Sequence, residues 1–392
     1  MAVQEARRPD PLRGLPMKVG LVCRHFLSTR GGLERYTVTL AAELLRRGHD
    51  VHVFAHGGER LPDLHFHPVP FFPLSSPGKN LSFAFMASRR IAPLRLDVVQ
   101  SMERIWNQDI FRASDGINPV QMAQRYPNPW LRRFKAVTPR RRALTFLERR
   151  IFERGGARFV MTNSRLVRDQ VLHHYRVSED RVRVIYNSVD TSRFNPAARE
   201  RLGAPLRRRY GIGPEDRLIL FAGNEFRLKG LSVLLEAVAG LDARKIRIIV
   251  AGSDSAAPYR SRARRLGLGD AVVFAGYQKA LEGFYGAADL FVLPTRYDPF
   301  ANVCLEAMAC GTPVMTTRMN GVSEVIETGR DGFVLRDVSV GELAASLRAY
   351  LAVDDPRALG ARACQKASSF TMEAHMRDLL ALYADVIEDK RG

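Results

Sequence analysis

The chain has 392 residues, 60 Lys+Arg against 41 Asp+Glu, and a formal net charge of +19. With 46% hydrophobic residues it can fill a sizeable core, and its length suits two domains or one large one, which excludes wholesale disorder. No stretch is long and apolar enough for a transmembrane helix, and Cys23, Cys304, Cys310 and Cys364 form neither a CxxC pair nor a Cys/His cluster with zinc spacing. Such cysteine usage suits a reducing compartment. The positive surplus admits nucleic acid, an anionic membrane, acidic small molecules or an ordinary solvated surface.

Residues 1–16 lack the apolar stretch of a secretory signal and are expected to form a disordered leader. Lys18–Cys23 is an apolar run that predicts a strand. Gly31-Gly32 ends the following loop. Leu33–Arg47 then repeats apolar residues at Leu33, Tyr36, Val38, Leu40, Ala41, Leu44 and Leu45, a helical period stopped by Gly48. Asp50–Ala55 predicts a second strand, so the chain opens with a βαβ unit and hence a parallel sheet. Further strands are expected at Asp97–Gln100, Arg158–Thr162 and Val182–Ile185. The turn-forming segment Asn187–Pro196 marks a hinge.

The second half alternates more cleanly. Strands are expected at Leu218–Ala222, Ile246–Ala251, Ala271–Phe274, Leu290–Leu293 and Pro313–Thr316. Helices are expected at Leu231–Ala239, Tyr259–Leu266, Ala280–Ala288, Ala301–Ala309 and Gly341–Ala352. The fold class is therefore α/β, with two Rossmann-like doubly wound domains at 17–190 and 191–370. Residues 371–392 form a last helix expected to return to the first domain. In such folds ligands bind at the carboxyl ends of the strands.

Three segments carry the chemistry. In Leu290–Thr317, Asp298 and Pro299 start a helix whose only ionised residue is Glu306. A buried carboxylate needs hydrogen-bond partners, and paired sugar hydroxyls would satisfy both oxygens. The amides of Phe300, Ala301 and Asn302 at the helix N-terminus suit a phosphate or a sugar oxygen. Equally, Asp298 could merely cap the helix and Glu306 pair with a structural arginine. In Leu218–Leu231, Arg227 and Lys229 lie in a loop after a strand, with Gly230 opening a helix. That arrangement suits a diphosphate, or else is a solvated basic loop. In Arg24–Gly32, the paired Gly31 and Gly32 permit close approach of backbone to a ligand, or simply turn the chain. No GxGxxG follows the first strand, which argues against a nicotinamide dehydrogenase.

These segments resemble glycosyltransferase family 4, the retaining GT-B enzymes. Asp298 and Glu306 stand in the two acidic positions of that family's E-x7-E region, the first as Asp rather than Glu. NEFRLKG is similar to its strand–loop–Lys-Gly motif, with Asn224 where the family has Arg. The resemblance implies two domains facing a cleft. It gives Glu306 to the nucleotide ribose, Asp298 and the following amides to the donor sugar and diphosphate, and Arg227 and Lys229 to the leaving group. Gly31 and Gly32 would lie near the donor phosphate. No metal or other cofactor is implied. GGLERY, the basic stretch, FERGGARFVMTNS and NEFRLKG together resemble the lipopolysaccharide core glucosyltransferase branch. In that branch Asn107–Asn118 implies an Asp near the reaction centre, here Asp115, which is otherwise a turn residue before Gly116. Many members place a histidine in this region, where this chain has Asn118.

Residues 125–158 hold eleven Lys+Arg against two Glu, nearly half of the +19 surplus, with Trp130, Phe134, Phe146, Leu147 and Phe152 interleaved. Within them Pro139–Glu153 places Leu144, Leu147 and Ile151 on one helical face. A basic amphipathic helix suits an anionic membrane surface, and also an ordinary packed surface helix. The expected activity is hexose transfer from a nucleotide diphosphate sugar, UDP-glucose or similar, to a lipopolysaccharide core or related glycolipid. It would take place in the cytoplasm, peripherally on the inner face of the plasma membrane. A GDP-sugar-dependent mannosyltransferase of cell-envelope polysaccharide is the alternative. A basic nucleic-acid-binding protein is a further one, but no helix-turn-helix, RNP or zinc-finger signature accompanies the charge, and no nucleic-acid partner is expected.

Overall fold

The computed structural model describes residues 16–29, 31–72, 75–241 and 245–391. Residues 1–15 of the expected leader lie outside the described residues. The chain divides into two compact units, Met1–Ile185 with Met376–Gly392, and Tyr186–His375. The joins expected from the sequence lay after 190 and 370.

In the first unit seven of the described strands form one parallel sheet, and His25–Phe26 pairs with Gly57–Gly58 in a separate two-stranded one. The order of the seven is His65–Pro68, Asp50–Ala55, Lys18–Val22, Val98–Ser101, Gln108–Arg112, Ala157–Thr162, Val182–Val184. Lys18–Val22 is an interior strand, pairing in register with Asp50–Phe54 on one side and Val98–Ser101 on the other. It is buried from Val19 on, which is why it reads as a continuous apolar run. The crossover helix Gly32–Arg46 buries Val38, Leu40, Ala41 and Leu44, the period expected of it. Gln108–Arg112 was not expected as a strand, because Gln108, Asp109 and Arg112 are polar yet buried. Each is engaged: Gln108 Nε2 donates to Gly156 O at 2.6 Å, Asp109 accepts from Val99 N–H at 2.8 Å, and the Arg112 guanidinium lies 3.7 Å from the Tyr36 ring centre. The final helix, Met372–Arg391, closes this unit with Met376, Leu379, Tyr383 and Val386 buried, and the Tyr383 hydroxyl donates to Gln100 Oε1.

The second unit repeats the plan. Its sheet runs Val272–Gly276, Ile246–Ala251, Arg217–Ala222, Leu290–Leu293, Val314–Thr317, Gly332–Leu335, all parallel. Helix Leu231–Ala239 has the residues expected of it, and Leu231, Leu234, Leu235 and Val238 are buried.

Both sheets are Rossmann-like. Strand order reverses between Lys18–Val22 and Val98–Ser101 in one unit and between Arg217–Ala222 and Leu290–Leu293 in the other. Crevices open at the carboxyl ends of such strand pairs.

The basic stretch resolves into two helices with different surroundings. Pro139–Glu153 buries Ala143, Leu147, Ile151 and Phe152. Its apolar face is packed into the unit, as the reading of an ordinary packed surface helix has it. Pro129–Ala136 buries no residue, and Trp130 and Phe134 are 81% and 68% exposed.

Candidate active site

In the second unit the two loops flanking the reversal point are tied together. After Arg217–Ala222 the chain turns through Gly223 and through Glu225, a non-glycine residue at φ 55°, and Lys229 N–H donates back to Glu225 O at 3.0 Å. Phe226 anchors the loop: its side chain is buried against Phe221 and Tyr259, and its N–H donates to Asp254 Oδ2 at 2.9 Å. Arg296 N–H, from the loop after Leu290–Leu293, donates to Leu228 O at 2.9 Å. Gly230 sits at φ 82°, and a Cβ there would lie 2.1 Å from Pro294 O. Only glycine lets these two loops close on each other.

This closure brings Lys229 to Asp298, 69 residues later, and the ammonium donates to Oδ2 of the carboxylate. Arg227 extends from the same loop and is exposed. Asn224 faces the neighbouring strand end, where its Oδ1 accepts from Ser253 N–H at 3.0 Å and Ser253 Oγ at 2.8 Å. These bonds tie the loop to the segment after Ile246–Ala251.

The amides expected to be free are partly engaged. Phe300 N–H donates to Asp298 Oδ1 at 3.1 Å, and Ala301 N–H to Asn320 Oδ1 at 3.1 Å. A helix N-terminus recruits acceptors wherever the chain supplies them, and both side chains lie within reach. Of the three amides, that of Asn302, the first residue of helix Asn302–Ala309, has no side-chain acceptor among the described residues. Asn302 Oδ1 accepts from Asn187 Nδ2 at 2.8 Å.

Glu306 is half-buried, and its Oε2 accepts from the Tyr285 hydroxyl at 2.8 Å. Burial, with Glu306 adjacent, pushes the Tyr285 phenol well above its ordinary range, so it remains a donor. Arg193 lies close enough to feel Glu306, but its guanidinium bonds to Glu282, which holds it above its usual range. Tyr285, Asn320 and Arg193 were invisible in the sequence. Each is an isolated polar residue whose importance comes from its partner, and no spacing marks it.

In the first unit the reversal point is crossed by an ion pair, Arg24 Nη2 to Glu103 Oε2 at 3.0 Å. Burial raises the Glu103 carboxyl, against the pull of Arg24 and Arg104. Asp115 is exposed on the loop after Gln108–Arg112, within the field of Arg104 and Arg112. Asn118 is buried and fully engaged: Arg141 donates to its Oδ1 at 2.6 Å, its Nδ2 to Thr145 Oγ1 at 3.0 Å, and its N–H to Glu148 at 2.9 Å. It positions the segment carrying Asp115. Gly31 and Gly32 form the start of helix Gly32–Arg46, and a Cβ on Gly32 would meet nothing within 4 Å.

The sequence matches the family described as Glycosyltransferase Family 4 over residues 30–193, and Glycosyl transferases group 1 over residues 203–365. A probable transglycosylase of Burkholderia thailandensis is 31% identical over 390 residues, 96% of this chain and 99% of the relative. The chain belongs to glycosyltransferase family 4. Against D-inositol 3-phosphate glycosyltransferases of Corynebacterium kroppenstedtii and Catenulispora acidiphila, this glycosyltransferase spans about half of the relatives' length, 53% and 55%. Its GT-B fold is shared with WaaG, a glycosyltransferase involved in lipopolysaccharide biosynthesis, at a TM-score of 0.76 and 24% identity over 95% of this chain and 99% of that one. It is shared also with Anabaena HepE in complex with UDP-glucose, at 0.70 and 18% identity over 96% and 99%.

Proposed function

We propose that this glycosyltransferase moves a hexose from a nucleotide diphosphate sugar, UDP-glucose or a close relative, to a lipopolysaccharide core or related glycolipid, with retention at the anomeric carbon. The observation that carries the reading is the Lys229–Asp298 pair at the strand-order reversal, with Arg227 on the same loop. A diphosphate entering there takes over Lys229, and Asp298 is released to accept from a sugar hydroxyl. The Asn302 amide meets a further diphosphate or sugar oxygen. Glu306, oriented by Tyr285, accepts from the ribose hydroxyls. As the anomeric C–O bond to the diphosphate breaks, Arg227 and Lys229 neutralise the leaving charge, so no metal need supply it. The acceptor oxygen bonds on the face that the diphosphate leaves, and its proton passes to the departing phosphate oxygen. Asp115 would orient the acceptor, and of the Gly31–Gly32 pair Gly32 is the open position, where a Cβ would meet nothing within 4 Å.

Helix Pro129–Ala136 would hold the protein on an anionic membrane at the cytoplasmic face. Trp130 and Phe134 insert, and Arg132, Arg133 and Lys135 meet lipid phosphates. WaaG, similar in fold, is named for lipopolysaccharide biosynthesis, and HepE was crystallised with UDP-glucose. Both support the choice of acceptor and donor. The test is nucleotide release by the purified protein across a panel of UDP-, GDP- and ADP-sugars, with lipopolysaccharide core acceptor and product mass spectrometry. UDP-hexose turnover with a glycosylated core is expected. GDP-mannose turnover alone selects a mannosyltransferase, and no turnover with any donor overturns the reading.

A further inference from the structure

Asp50, His52 and His65 converge at the outer edge of the first unit's sheet. Strand His65–Pro68 is the edge strand, and it pairs in parallel with Asp50–Ala55 so that His52 lies directly across from His65. Residues two apart on a strand share a face, so Asp50 and His52 project together, with His65 and His67 beside them on the neighbouring strand. Asp50 Oδ1 is 3.3 Å from His52 Nε2 and 3.3 Å from His65 Nε2. One ligand atom from each of the three residues fits within 4.8 Å of the others. The His52 and His65 rings stack with centres 4.7 Å apart.

The second observation is an orphaned nitrogen. His52 Nε2 is buried and has no hydrogen-bond partner among the described residues, although it faces the Asp50 carboxylate. Its other nitrogen, Nδ1, is 2.9 Å from His67 Nε2. If Nδ1–H donates to His67, the Nε2 lone pair points at the carboxylate, an arrangement that only a cation between them makes favourable. A ligating histidine characteristically donates its second N–H to a neighbouring acceptor. His65 is exposed and gives the site an entry from solvent.

We propose that Asp50 Oδ1, His52 Nε2 and His65 Nε2 bind a borderline divalent cation, zinc for choice, with His67 orienting His52. Two imidazoles and one carboxylate suit zinc better than magnesium or calcium, and leave a fourth tetrahedral position for water. The ion would clip the edge strand to its neighbour. It lies toward the start of Asp50–Ala55, away from the carboxyl ends of the strands where the sugar chemistry is placed, so it has no part in that chemistry. Zinc spacing was not visible in the sequence because the ligands come from two strands.

The test is cobalt and zinc titration of the full-length protein. Cobalt should give the visible absorption of a nitrogen- and oxygen-liganded tetrahedral ion, without thiolate charge-transfer bands, at one ion per chain. Zinc should displace it and raise the thermal midpoint by about 5 °C. Binding should weaken at least about 100-fold in His65→Ala and in Asp50→Asn, the first being an exposed position that tolerates truncation. Sub-stoichiometric binding, thiolate bands, or unchanged affinity in both variants overturns the proposal. Thiolate bands would assign the metal to the cysteines, sub-stoichiometric binding would mark an adventitious ion only, and unchanged affinity would leave Asp50, His52 and His67 as a polar cluster without a metal.

Discussion

Lys229 donates to the Asp298 carboxylate across 69 residues of chain, and the same carboxylate accepts the Phe300 amide through its other oxygen. Asp298 therefore holds a cation and a helix-start amide at once, and a bound diphosphate must compete for the cation. Lys229→Ala should lower kcat/KM about 100- to 1,000-fold, as loss of a charged group facing the leaving diphosphate does. Steady-state kinetics checks it, with circular dichroism to show an intact fold. Full activity would remove Lys229 from the proposed chemistry.

Tyr285→Phe removes one neutral donor from Glu306 and leaves the ring packed. Such a bond is worth about 1 kcal/mol, so the KM for the sugar nucleotide should rise about three- to tenfold with kcat nearly unchanged. Glu306→Ala should raise it further. An equal fall in kcat with unchanged KM would show that Glu306 acts on the reacting centre rather than on the nucleotide.

Gly230→Ala places a Cβ 2.1 Å from Pro294 O in a left-handed backbone. The loops must part, at a cost of about 2–3 kcal/mol. Chemical denaturation should show that loss in the second unit's transition, and activity should fall with it because Lys229 is the neighbouring residue. Wild-type stability would mean that the loops separate readily.

Burial pushes the Cys310 thiol from 9.0 to about 12, and those of Cys23 and Cys304 higher still. Tyr285 and Tyr383 are raised in the same way. The folded chain thus keeps protons that the unfolded chain releases. Their contribution to stability is whole below the ordinary thiol value of 9.0 and is lost as pH rises toward about 12. Thermal midpoints measured from pH 8 to 12 should fall steeply over the upper half of that range. A flat profile would contradict it.

Trp130→Glu with Phe134→Glu alters a helix that buries nothing. Co-sedimentation with vesicles containing anionic lipid should fall at least about tenfold, while turnover of a soluble acceptor fragment and the thermal midpoint stay unchanged. Undiminished sedimentation would move the membrane contact elsewhere.

The sequence displayed the sheets where apolar residues dominate a strand. Asp50–Ala55, Ile246–Ala251 and Leu290–Leu293 match residue for residue. It concealed Gln108–Arg112, whose polar side chains find partners from distant segments. It identified Lys229 and Asp298 as a likeness of motif. The reason they meet, the Arg296–Leu228 bond and the Gly230–Pro294 approach, is a tertiary fact with no local signature. Periodicity also placed a helix at Pro139–Glu153 but could not tell a face turned to the unit's core from one turned to lipid.

The first unit is assembled from two stretches of chain with the whole second unit between them. The Tyr383–Gln100 bond and the Lys390–Asp109 pair close over 283 and 281 residues. During synthesis the amino-terminal sheet must therefore wait, with part of its apolar surface bare, until Met376–Gly392 has been made. The second unit, continuous in sequence, can finish first. The unit whose sheet is made earlier is the one completed later, and nascent chains arrested before Met376 are where chaperone dependence and aggregation should concentrate.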